Sequence, residues 1–316
     1  MREFAYYYAY PLALITLIIL NSYLVYRTRR APIKEVFLSW LNMSHLNVIQ
    51  FIFFFRPTLT IIAQRHPRLR ILHSFVYVAY FDRMSYLIVP SLYSAHVMIN
   101  VMAGLELFSE NIGLTYFSIT SKIKYVFYIK LVTLILNVFL HLHNLVLYKI
   151  ENTQSVSLLN GVTGNVTSYH VMRGGKKNLN MIIMVFLRTL TLSVLPLIIL
   201  SWMIWQICAS FVKRERYVYC RDGSKANIFK SFLNRPIVRT KKFIFLLFTM
   251  SFYPAYVSDL IYKLDYVFMY IVGSGEELYM MYDIHNILKI VSLTGYCVTW
   301  FVILRNAKAD QNNILI

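Results

Sequence analysis

From Phe4 to Tyr26 the chain carries no charged residue, and Arg27, Arg29 and Arg30 follow at once. A hydrocarbon layer roughly 30 Å thick takes about 20 helical residues to cross. In lipid a single apolar segment can satisfy its own backbone hydrogen bonds only as a helix. Six further apolar stretches of comparable length follow, separated by loops that hold most of the charge. The chain is therefore expected to be an all-α membrane protein, a seven-transmembrane helix bundle forming one domain over residues 1–316. The predicted spans are 4–26, 36–55, 84–108, 125–147, 181–211, 243–272 and 285–304. Between Arg70 and Ser109 the apolar run is too long for one crossing and short for two. Asp82-Arg83 interrupts it, so Ile71 to Phe81 is read as a partly buried outer segment, with the third helix starting near Asp82.

A net charge of +18 in a soluble chain would suggest nucleic acid, but mean hydropathy is +0.54 and charged residues are 15% of the chain. In such a chain the placement of Lys and Arg sets orientation, and no nucleic-acid partner is expected. One set of alternate loops has Arg27, Arg29, Arg30, Lys34, Lys122, Lys124, ten basic residues from Lys213 to Lys242, Arg305 and Lys308. The other set has Arg2, Arg56, Arg65, Arg68, Arg70, Lys149, Arg173, Lys176 and Lys177, half as many. The richer side is expected in the cytoplasm, which puts the N-terminus outside the cell and the C-terminus inside.

Asn165-Val166-Thr167 is a glycosylation acceptor in the long loop between the fourth and fifth spans, on the predicted outer side. A second triplet, Asn42-Met43-Ser44, lies inside a span and is set aside. A signal peptide is disfavoured for the first stretch, which is longer than an h-region and lacks a small-x-small cleavage site before the arginines. Cys208 and Cys297 fall within spans and Cys220 in an inner loop, so no disulfide framework is expected. Pro11, Pro90, Pro196 and Pro254 lie inside spans and should bend them. Neither half of the chain repeats the other, which argues against a secondary transporter.

Ionisable residues inside spans are costly and point to function. Arg188 belongs to the outer part of the fifth span, Asp259, Lys263 and Asp265 to the sixth, and Asp283, His285 and Lys289 to the seventh. Asp259 and Lys263 are four apart on one helical face and can pair. Three consecutive helices thus bring charge to one end of the bundle, as expected of a water-accessible cavity between helices. His45 and His96 read as packing or interhelical hydrogen-bonding residues, and Tyr253, Tyr256 and Tyr262 as further candidates for the lining. No metal or cofactor is expected. Catalysis is not expected either, since His141-Leu142-His143 lacks the spacing of a helical zinc site and Gly273-Ser274-Gly275 lacks a strand-turn-helix context. The basic stretch from Lys213 to Lys242 can lie against anionic headgroups of the bilayer or dock an acidic partner.

Tyr10-Pro11-Leu12 before an Ile/Leu-rich helix, Ser109-Glu110-Asn111 through Ile123-Lys124-Tyr125 after the third span, and the closing Phe301-Val302-Ile303-Leu304-Arg305 are similar to segments of nematode serpentine chemoreceptors. The chain resembles the gamma-type and V-type classes of these divergent rhodopsin-like G-protein-coupled receptors. That resemblance implies a chemosensory receptor in the plasma membrane, with an external small molecule bound between helices and a heterotrimeric G-protein on the cytoplasmic face. On this reading Arg188, Asp259, Asp283, His285 and Lys289 are the candidate ligand contacts, and Glu110, Asn111, Lys213, Arg214, Lys241 and Lys242 face the G-protein. The competing expectation is a ligand-gated channel or transporter; an inside N-terminus would favour it, and no carbonyl-filter sequence supports it.

Overall fold

The computed structural model describes residues 4–30, 36–65, 70–112, 123–159, 162–173, 179–222, 241–272 and 277–314. It is an all-α bundle of seven helices long and apolar enough to cross a membrane, joined on one side by a β-hairpin. The spanning portions are α1 Ala5–Thr28, α2 Phe37–Ile62, α3 Phe75–Phe108, α4 Lys124–Val146, α5 Ile183–Ser210, α6 Lys241–Ile261 and α7 Asp283–Leu304. The protein is a multi-pass membrane protein.

Burial ranks the helices. In the most apolar window of α3, 67% of residues are buried inside the protein, against 17% for α4, so α3 is the central post and α4 the peripheral one. On α4 the residues Phe127, Leu131, Val132, Ile135, Leu136 and Phe139 are exposed, while Val126, Asn137 and His141 are buried. That division at helical spacing is a lipid-facing stripe opposite a bundle-facing one, with the polar residues turned inward. The core between α6 and α7 is aromatic. Phe248, Phe252 and Tyr256 recur every fourth residue on α6, as do Tyr296 and Trp300 on α7, so each set shares a face. Phe248 meets Tyr296 and Trp300 at ring separations of 5.5 Å.

Two helices adapt to proline in the same way. Pro11 and Pro196 have no N–H to donate, and their rings clash with the carbonyl four residues back. Each is preceded by a π turn, Ala5–Ala9 in α1 and Leu190–Val194 in α5, closed by Tyr10 N–H donating to the Ala5 carbonyl and Leu195 N–H to that of Leu190. The widened turn carries the backbone past the proline without leaving the helix. The sequence predicts bends at these prolines; the structure supplies the local device.

Helix α2 is broken at Asn42 and Met43, between the helical pieces Val36–Leu41 and Ser44–Phe54. Its loose backbone groups are satisfied by side chains from three directions. The Lys130 ammonium of α4 donates to the carbonyls of Ser39 and, at 2.7 Å, Asn42. Met43 N–H donates to the Tyr296 hydroxyl of α7 at 2.9 Å, and Ser44 N–H to Asn42 Oδ1 at 3.2 Å. From α1, Asn21 Nδ2 donates to the Ser44 carbonyl at 2.9 Å.

Helix α3 begins earlier than its sequence predicts, at Phe75 rather than near Asp82. Ser74 Oγ caps it by accepting from Tyr77 N–H at 3.2 Å, and a π turn at Val78–Asp82 leads into the long helix. Asp82-Arg83 does not interrupt the helix because both charges are held by the protein. Asp82 pairs with Arg56 of α2, and Arg83 donates to the backbone carbonyls of Leu145 and Tyr148.

The chain after α4, read from the sequence as a loop, forms an antiparallel hairpin of β1 Tyr148–Leu159 and β2 Val162–Arg173. Its register runs from Tyr148 opposite Arg173 to Leu159 opposite Val162. Arg83 fixes its root at Tyr148, and Tyr169 packs edge-on against Phe75 at 5.5 Å.

Candidate functional site

A cavity of about 140 Å³ lies at the end of the bundle that holds the N-terminus. Water needs about 10–15 Å³ by the same measure, so there is room for a small organic molecule or a group of waters. Six helices and the hairpin root contribute to its wall, including Phe54 and Arg56 from α2, Tyr86 and Pro90 from α3, Asn144 from α4 and Tyr148 from β1. Of the five ligand contacts expected from the sequence, Arg188, Asp259, His285 and Lys289 line it; Asp283 does not.

The α5–α6–α7 side is a continuous polar network. Lys263 Nζ pairs with Asp259 Oδ2 at 2.6 Å, the i, i+4 pair expected from the sequence. The same ammonium donates to Ser193 Oγ on α5 at 3.1 Å. Across the helix interface, His285 Nε2 is 3.8 Å from Asp259 Oδ1, and its Nδ1 is 2.7 Å from Ser258 Oγ. Asp259 thus joins α6 to α7 through His285, and Lys263 extends the network to Ser193 on α5.

Asp283 sits behind the wall. Its Oδ1 accepts from the Tyr6 hydroxyl of α1 at 2.8 Å, and that hydroxyl accepts from Asn286 Nδ2 at 3.2 Å. Asn286 is itself in the cavity wall, its Oδ1 3.4 Å from Lys289 Nζ, so Asp283 reaches the cavity through Tyr6. Lys289, buried on α7, lies over the rings of Phe54 and Tyr93 at 5.0 and 5.5 Å. On the α4–α5 side, Arg188 Nη1 lies against the His143 ring, 3.0 Å from Nδ1, and 3.4 Å from Asn144 Oδ1.

At the hairpin end of the cavity, Arg56 stacks over the Tyr86 ring at 3.9 Å and Tyr86 stacks on Tyr148 at 3.8 Å. Asn144 Nδ2 donates to the Tyr86 carbonyl at 2.7 Å. A guanidinium and two phenol rings therefore form one column joining α2, α3 and the hairpin, with cation–π attraction strengthened by partial burial. In the sequence Arg56 reads as a loop charge because the apolar run ends at Phe55, and the pairing with Asp82 emerges only from the packing of α2 on α3.

The remaining sequence expectations fall elsewhere. Tyr253 and Tyr256 are outside the lining: Tyr253 Oη is 2.8 Å from Ser201 Oγ, and Tyr256 Oη accepts from Asn100 Nδ2 at 2.8 Å. His96 is buried edge-on against Phe252, and neither ring nitrogen has a protein hydrogen bond among the described residues. Its role is packing. Glu110-Asn111, Lys213-Arg214 and Lys241-Lys242 belong to the ends of the helices containing α3, α5 and α6 opposite the cavity. The side chains of Glu110, Asn111, Lys213 and Arg214 lie outside the described residues, as do those of Asn165, Cys220, Tyr262 and Asp265. Residues 223–240 of the basic segment are outside them altogether. Asn165 is in β2, opposite Val156. Cys208 and Cys297 are free thiols. Among the described residues no group of three or more His, Cys, Asp or Glu could hold a metal ion.

In comparisons with known protein families and with curated proteins, no family model and no curated protein matches the chain.

Proposed function

We propose that the protein is a chemosensory receptor of the G-protein-coupled type, in the plasma membrane with its N-terminus outside. The observation that carries this reading is the position of the cavity. It opens among charged and aromatic side chains at the N-terminal end of the bundle, while the basic ends of α5 and α6 lie at the opposite end. The excess of Lys and Arg in the loops supports a cytoplasmic position for that basic end. An external small molecule would then reach the cavity from outside, and a heterotrimeric G-protein would meet the basic face inside. The resemblance to serpentine chemoreceptors supports the same assignment.

The ligand signals by binding one arrangement of helices more tightly than another. The Asp259 network is placed to sense it, because Lys263, Ser193 and His285 link α5, α6 and α7 at the cavity wall. A ligand that displaces any of these partners changes how α6 sits against its neighbours, and α6 begins at Lys241-Lys242 on the far side.

The test expresses the full chain in animal cells with a tag at the C-terminus and follows G-protein activation while small molecules are applied outside. The reading expects a cytoplasmic C-terminus, a glycan on Asn165 removed by Asn165→Gln, and a ligand-evoked signal. A C-terminus reached by antibody on intact cells overturns it, as does ligand-evoked ion current without G-protein activation.

A further inference from the structure

Four basic side chains line the cavity, Arg56, Arg188, Lys263 and Lys289, against one carboxylate, that of Asp259. Arg56 pairs with Asp82 and Lys263 with Asp259. Asp259 is itself engaged on both oxygens, Oδ2 by Lys263 at 2.6 Å and Oδ1 near His285 at 3.8 Å. The wall therefore has little left to attract a cation. It has more to offer an anion.

Lys289 decides the matter. It is 6% exposed, and among the described residues no carboxylate lies within 4 Å of its ammonium. Its hydrogen bond to Asn286 Oδ1 is long, at 3.4 Å, the rings of Phe54 and Tyr93 lie against it, and the Asp259 carboxylate acts on it only from beyond ion-pair distance. An ammonium has three protons to donate. Buried charges are ordinarily paired, since desolvation without a counter-charge is costly. The natural counter-charge for Lys289 is one that arrives with the ligand. The wall also has apolar residues, Phe53, Phe54, Val89, Pro90 and Val185.

We infer that the cavity takes a small organic anion, a carboxylate with a compact apolar body, its oxygens against Lys289 with Arg188 adding to the positive field, and its body against the α2–α3 side. The inference rests on the receptor reading only in taking the cavity as a ligand site.

The test uses purified full-length protein in lipid nanodiscs and three probes of one shape: benzoate, benzamide and benzylamine, at matched ionic strength. The thermal unfolding midpoint is followed as each is raised to millimolar concentration. Benzoate is expected to raise it in a saturable way while the amide and the amine do not, and Lys289→Gln should weaken benzoate by about thirtyfold or more. The comparison among probes on the unaltered chain stands even where the variant fails to fold. Equal stabilisation by the amide, stabilisation by the amine alone, no effect of benzoate, or undiminished benzoate binding by a folded Lys289→Gln each overturns the inference. A carboxylate that stabilises the protein but evokes no G-protein signal overturns the receptor reading and leaves the anion site standing. A signal evoked equally by neutral analogues does the reverse.

Discussion

The ammonium of Lys130 on α4 donates to the backbone carbonyl of Asn42, 2.7 Å away at the break in α2, and to that of Ser39 one turn earlier. A lysine inside a span is thus used as a cap, supplying the donor that the interrupted helix no longer provides and that lipid cannot. Lys130→Met keeps the length of the side chain and removes the donor. Leaving a buried acceptor unmet costs about 1–3 kcal/mol. Unfolding of the variant in nanodiscs is expected at correspondingly lower denaturant, and an unchanged midpoint would show the cap to be dispensable.

Tyr296 serves the same break from α7 by accepting from Met43 N–H at 2.9 Å, with Ser44 Oγ 3.0 Å away. Tyr296→Phe preserves the ring packing against Phe248 and Phe252 and removes the acceptor. Hydrogen exchange at the Met43 amide should accelerate, with a loss of about 1–3 kcal/mol in stability. Exchange as slow as in the parent protein would argue that another acceptor takes over.

Gly104 on α3 allows α5 and α6 to approach closely. A Cβ there would overlap Met203 Sδ and stand 2.9 Å from Phe245 Cζ. Met203 and Phe245 are both fully buried, so neither side chain can retreat without displacing its neighbours, and Gly104→Ala should destabilise by about 1–3 kcal/mol through overpacking. Shortening the facing side chain in the double variant Gly104→Ala/Met203→Ala should recover part of the loss relative to the sum of the single changes. Strict additivity in denaturant titrations would rule out the contact.

The Asp259–Lys263 pair is nearly buried on both sides, at 11% and 12% side-chain exposure. Asp259→Asn leaves the Lys263 ammonium without its counter-charge, donating to Ser193 Oγ, and is expected to cost about 3–5 kcal/mol. Lys263→Met in the same chain removes the stranded charge and should restore much of that. The measurement is a double-mutant cycle on unfolding free energy, in which a coupling near zero would sink the claim that the pair acts as a unit.

The seven crossings were legible because apolar length is a local property that lipid enforces, and the Asp259–Lys263 pair because i, i+4 neighbours share a helical face whatever surrounds them. Arg56 was not, since its partner Asp82 is 26 residues away and only the packing of α2 on α3 brings them together. Asp283 looked like a wall residue from its place at the start of α7; it is turned instead toward Tyr6, which comes from the other end of the sequence. Helix α3 was read short because a charged pair suggests an interruption when its partners are unknown. The hairpin had a signal in Asn160-Gly161, a dipeptide favoured in two-residue hairpin turns, but its strands are too polar to show the alternation that marks a half-buried sheet.

The π turn before Pro196 sets the angular phase of α5. A helix advances by about 100° per residue, so one extra residue in the turn rotates everything before it by about that angle relative to everything after. Arg188 and Val185 lie before Leu190–Val194, and the face that packs as Leu197, Leu200 and Met203 lies after. A helical wheel drawn straight through the proline would swing the guanidinium a quarter-turn off target. The same helix can therefore present one azimuth to the core and another to the cavity, and a one-residue deletion within the turn would bring the two back into line at the expense of the face turned to the cavity.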